Sequence, residues 1–129
     1  MRMQRAAQRD RGAAAVEFAL LLPVLLLLIF GIVDFGRMLN AKILISEAAR
    51  EGARAAALAG TGQASSRIAI VTQGLPVSVS ISGCPSTPDP SANATVTITH
   101  EFQFVTPLNV IAGFAEPTLE ATGVMPCLQ

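Results

Sequence analysis

The 129-residue sequence has no tryptophan, no tyrosine and one histidine, and only 5% of it is aromatic. Lysine and arginine vanish after Arg67, leaving only Asp89, Glu101, Glu116 and Glu120 as charges. A half without bases cannot neutralise a phosphate backbone, so nucleic acid is excluded as a partner. His100, the single histidine, lies on the apolar side of a candidate strand with Phe102 and Phe104. A histidine placed so reads as a core or rim residue. No His/Cys/Asp/Glu group has metal-ligand spacing, and no glycine-rich phosphate loop occurs. Ser65, Ser66 and the serines at 78, 80 and 82 have no evident activating partner. Neither an enzyme, a metal nor a cofactor is expected.

What is abundant is apolar and local. From Ala13 to Val33 there are 21 residues with a single charge, Glu17. As a helix this run is about 31 Å long, matching the hydrocarbon core of a bilayer. Its leucines surround the helix rather than forming one stripe, so a transmembrane or signal segment is expected. Arg2, Arg5, Arg9 and Arg11 precede it. By the positive-inside rule the N-terminus stays cytoplasmic and the rest crosses. An ordinary secretory signal would be followed by a small-x-small cleavage site. "GIVDFGRML" follows instead.

Beyond the run, "RMLNAKILISEAAREGARAAALAG" is rich in helix formers and free of proline. One helix from Ala13 to Leu58 is expected, about 69 Å long. Phe35, Met38, Leu39, the Lys42 stem, Ile45 and Ala49 form its apolar stripe, and Glu47–Arg50 and Glu51–Arg54 are candidate i,i+3 pairs. Ala48, Gly52 and Ala56 form one small-residue ridge, with Ala49, Ala53 and Ala57 beside it. These either favour helix generally or let another element approach closely. Pro23 removes a hydrogen bond to the Ala19 carbonyl and should kink the span.

After the Gly60-Thr61-Gly62 breaker the period changes. "ASSRIAIVTQG" reads as a short helix. "PVSVSISG" alternates, with Val77, Val79 and Ile81 on one side, as a half-buried strand does. "CPSTPDPSAN" is a proline-rich loop. "ATVTITHEFQFV" alternates again, placing Val96, Ile98, His100, Phe102 and Phe104 on one face. "TPLNVIAGFAEP" is a turn and "TLEATGVM" a third strand. The fold class is therefore α+β: a long N-terminal transmembrane helix runs into a small extracytoplasmic domain with an antiparallel sheet of about three strands. Residues 1–12 form a basic cytoplasmic leader, 13–33 the transmembrane helix, 34–59 its extracytoplasmic extension and 60–129 a small strand-rich domain. So small a core gains from a staple. Cys84 and Cys127 flank the first and last strands and can pair outside the cytoplasm, closing a loop worth about 4 kcal/mol by chain entropy. Two unpaired thiols or an intermolecular bridge are the alternatives.

"RGAAAVEF" carries the most specific signal. Basic residues, Gly12, a small apolar stretch and then Glu17-Phe18 resemble a class III, type IV prepilin-like signal. Together with Pro23, "GIVDFGR" and "EAAREGAR", residues 11 to 58 resemble the TadE-like family of Flp (tight adherence) pilus assembly. The resemblance implies a pseudopilin or minor pilin, cut by a prepilin peptidase between Gly12 and Ala13. It implies an assembly role for Glu17 and Phe18, with other pilins or pseudopilins and the assembly platform as partners. The location implied is the bacterial inner membrane as a single span, with the domain periplasmic. An unprocessed single-pass anchor presenting a small periplasmic binding module is the alternative.

Overall fold

The computed structural model describes residues 2–87 and 89–127, and side chains only from Gly12 onward. The side chains of the basic leader, including Arg2, Arg5, Arg9 and Arg11, therefore lie outside the described residues. Helix α1 spans Arg2–Ala59 and passes through Pro23 without a break in its helical assignment. It is followed by α2 (Thr61–Thr72), β1 (Ser78–Ser82), β2 (Asn93–Glu101), α3 (Leu108–Ala112) and β3 (Thr118–Pro126). The α+β expectation holds. A single long helix carries a three-stranded antiparallel sheet of order β1-β2-β3.

Gly60 ends α1 at φ 89°, a left-handed value that side chains disfavour. It turns the chain straight back into α2. Ile68 then lies against Gly52 in the larger core, while Ala64 and Ala56 share the smaller one. The buried α1 residues of this hairpin, Gly52 and Ala56, are small, which brings the two helices close together. The sheet covers the same alanine face. Ile45, Ala48, Ala49 and Ala53 of α1 meet Val96 and Ile98 of β2 and Ala121 of β3. The small-residue ridges are thus the packing surface for the chain's own sheet and for α2. Register explains the alternation: Ile98 stands between Val79 and Ala121, and Val96 between Ile81 and Gly123. Period-2 side chains place these on the helix side, while the serines of β1 and the threonines of β2 face outward.

Gly123 marks the closest approach. A Cβ built there would lie 2.1 Å from the Ala49 carbonyl oxygen, inside the helix backbone. Only glycine lets β3 lie directly on α1 at this point.

Several details differ from the sequence reading. The buried stripe of α1 runs through Asp34, Ala41, Ile45, Ala48, Ala49, Gly52, Ala53 and Ala56, whereas Phe35 and Leu39 are exposed. Residue size decides this: the sheet settles on the small side of the helix, not on the bulky one. Glu47–Arg50 and Glu51–Arg54 are not within ion-pair distance; among the described residues the ion pair is Asp34–Arg37. β1 starts at Ser78 and Val79 is exposed, because β1 is an edge strand and α1 lies mainly over β2 and β3. β2 stops at Glu101, short of Phe102 and Phe104. The Phe102 N–H donates to the Pro117 carbonyl at 3.0 Å, and the two rings then meet edge to face at 5.5 Å.

Candidate functional site

Two regions of α1 carry the residues that packing does not explain. The first is the start of the apolar run. Gly12, Ala13, Glu17 and Phe18 are all helical and all exposed. Ala13 and Glu17 are one turn apart, about 6 Å along the axis. A Cβ at Gly12 would touch nothing, so glycine there answers to no contact within the chain. Glu17 has no hydrogen-bond or ion-pair partner among the described residues, and it stands in a surface of exposed Val16, Phe18, Leu20 and Leu21. The stretch from Gly12 to Ala59 is long and apolar enough to cross a membrane, and its apolar run is exposed except at Phe30 and Gly31, which are half-buried.

The second region lies where that run ends. Asp34 is fully buried beside the β2–α3 connection. Its carboxylate accepts the N–H of Val105 at 3.1 Å, the N–H of Thr106 at 3.3 Å and the Thr106 hydroxyl. Arg37, one turn on, approaches it at 3.5 Å. Burial works to raise the Asp34 pKa. The Thr106 hydroxyl, the two N–H groups and the Arg37 charge outweigh it and hold the carboxyl below its ordinary value. Arg37 also donates to the Gln103 carbonyl at 3.3 Å and lies 5.4 Å from the Phe102 ring centroid. Lys42 donates to the Glu120 carbonyl. Three side chains on successive turns of α1 therefore hold the lower rim of the sheet domain down onto the helix. In the sequence Asp34 and Arg37 stand out only as part of the "GIVDFGR" segment. The usable signal was an aspartate at the end of an apolar run, where a carboxylate needs donors, with a base three residues on.

The family model of the TadE-like protein matches residues 12–54. Over these residues the chain is similar to TadE-like proteins. The match ties the chain to Tad pilus-related proteins, and it agrees with the resemblance read from the sequence. No curated protein and no solved structure matches the chain. The TadE-like segment begins at Gly12, contains Glu17, Asp34, Arg37 and the Gly52 ridge, and stops before the sheet. The Asp34–Arg37 clasp thus originates inside the matched segment and closes on residues outside it.

At the far end of the domain, away from this clasp, Cys84 and Cys127 form a disulfide with a Cα separation of 5.8 Å. It ties the loop after β1 to the end of β3, beside Ala56 and Ala64. His100 is buried at the lower end of β2, and its Nδ1 lies 2.7 Å from the Pro76 carbonyl oxygen. A cleft of about 660 Å³ opens beside it, lined by Arg37, Asn40, Leu75, His100, Glu101 and Thr118 among others.

Proposed function

We infer that this TadE-like chain is a pseudopilin or minor pilin that takes part in assembling or initiating a Flp-type (tight adherence) pilus. A prepilin peptidase removes residues 1–12 at the cytoplasmic face of the inner membrane. The helix stays in the bilayer, the domain is periplasmic, and the new α-amino group of Ala13 is left at the membrane edge. Glu17 of one subunit then meets the Ala13 amine of its neighbour, and Phe18 packs beside the pair. The role is structural, with no catalytic step. Sister pilins or pseudopilins and the assembly platform are the partners.

The observation that carries this reading is Glu17 itself, an exposed carboxylate in an apolar surface with no partner among the described residues. In lipid such a group costs about 2.5–3.5 kcal/mol at the centre of a span and less near its edge. An ammonium about 4 Å away, at an effective dielectric of roughly 20, returns about 4 kcal/mol before desolvation is subtracted. Pairing between subunits offsets the cost and fixes the register between helices. Ile32, Phe35, Leu39 and Ile43 extend the exposed apolar surface up the helix on the side the sheet leaves uncovered. They continue the same helix-to-helix contact from the end of the span upward.

The test is replacement of Glu17 in cells that make the pilus. Glu17→Leu should abolish assembly or partner capture while the protein still inserts in the membrane. Normal piliation by the leucine variant would overturn the pairing. The cleft beside His100 favours a second reading, an anchor presenting a periplasmic binding module. On that reading Glu17→Leu changes nothing.

A further inference from the structure

Residues 102–115, "FQFVTPLNVIAGFA", contain no charged side chain, although Glu101 and Glu116 bound them on either side. Inside this segment Leu108 is buried and fixes α3 to the body of the domain. Phe102 is buried as well and Phe104 half-buried, whereas four other large apolar side chains point away from the protein. Val105 is 70% exposed, Val110 82%, Ile111 61% and Phe114 52%. A patch of this kind on a small domain marks a contact surface.

Its height above the membrane is set by the clasp. Val33 is the last residue of the apolar run and Asp34 the next, and the Asp34 carboxylate holds the Val105 and Thr106 N–H groups. The apolar loop therefore starts at the level where the span leaves the bilayer. We propose that the loop carrying α3 inserts into the outer leaflet of the bilayer that the chain's own helix crosses. Val110, Ile111 and Phe114 form the inserted tip. The inference rests on the single-span reading of residues 13–33 and not on processing or pilus assembly.

Physical chemistry favours lipid as the occupant. Short apolar-faced segments settle at the boundary between headgroups and acyl chains, about 5–10 Å deep. The loop is tethered next to that boundary, so insertion is intramolecular and even a weak apolar contact is populated. The surrounding groups suit the interface: Arg37 stands half-exposed at headgroup level, and Glu101 and Glu116 sit outside the apolar stretch. Two attachments, span and loop, would hold the domain at a fixed tilt to the membrane. The helix face carrying Phe35 and Leu39 would then be presented in a constant direction to a neighbouring helix.

The experiment uses the full chain reconstituted in phosphatidylcholine–phosphatidylglycerol vesicles. With the Cys84–Cys127 bond kept oxidised, single cysteines are introduced and labelled with a fluorophore. Ile111→Cys and Phe114→Cys report on the loop, Ser80→Cys on the exposed β1 edge and Leu26→Cys on the span. Lipids carrying a nitroxide near the headgroup should quench the probes at 111 and 114 several-fold more than the probe at 80. A deep nitroxide should quench the probe at 26. If iodide in the water quenches 111 and 114 as fully as 80 while 26 stays in lipid, the loop proposal fails and the span reading stands. If 26 is reached by iodide and not by lipid nitroxides, the span reading fails and the proposal with it. If 111 and 114 are shielded only at high protein density and open to iodide on dilution into excess lipid, a second copy covers the patch and the proposal is overturned.

Discussion

The two halves of α1 are one continuous helix with opposite surfaces. From Ala13 to Val33 almost every side chain is exposed, and bulky leucine, valine and isoleucine dominate. From Asp34 to Ala59 the helix has a buried face, and apart from Asp34 and Ile45 that face is alanine and glycine. In water the first half would be untenable and the second half ordinary. The difference shows that large apolar residues mark the part apolar enough to cross a membrane, while small ones mark the part that receives a folded domain. Small residues stabilise little by their own burial. They let Val96, Ile98 and Ile68 come close enough to bury fully, each contributing about 1.5–3 kcal/mol.

The contrast can be broken from the domain side first. Reducing the Cys84–Cys127 bond, or replacing both cysteines by serine, should lower domain stability by about 4 kcal/mol, read by urea unfolding in micelles. Membrane insertion should not change. Gly123→Ala should cost about 3 kcal/mol, because the new Cβ meets the Ala49 carbonyl and the helix backbone cannot yield. A neutral result in thermal or urea unfolding would mean that β3 does not lie directly on α1. Asp34→Asn acts locally, and hydrogen exchange at the Val105 and Thr106 amides should quicken while the β2 core stays protected. Acid should do the same to the native protein. The folded pKa of Asp34 is depressed, so the clasp is fully made above the ordinary carboxylate value of 3.8 and is lost as pH falls through the lower folded value. Exchange at these two amides should therefore rise in excess of the general trend only below about pH 4. Least of all, Leu21→Ala in the span should leave domain unfolding unchanged, since Leu21 contacts no part of the domain.

Periodicity made much of this architecture legible. The apolar run, the helix through the alanine ridges and the alternation at Val96 and Ile98 each repeat a pattern over several residues, which is what sequence reading detects. The packed face of α1 was misread because Phe35 and Leu39 are more hydrophobic than Ala41 or Ala48. Hydrophobicity ranks residues for burial, but close approach of a sheet is limited by size. The exposed valine of β1 was not legible, since edge position depends on strand order. The clasp escaped because its partners are backbone N–H groups of Val105 and Thr106, which carry no residue-type signal. Around Gly12 and Glu17 the position is reversed: sequence speaks clearly, and among the described residues Glu17 has no hydrogen-bond or ion-pair partner.

Glu17 gains its meaning from the amine that processing would create, so the N-terminus is the decisive observable. The protein should be recovered from piliated cells and its intact mass and N-terminal peptide determined, with and without a working prepilin peptidase. The account predicts a chain starting at Ala13 when the peptidase is present and the full chain when it is absent. A chain that keeps Met1 or Arg2 in piliated cells would contradict it.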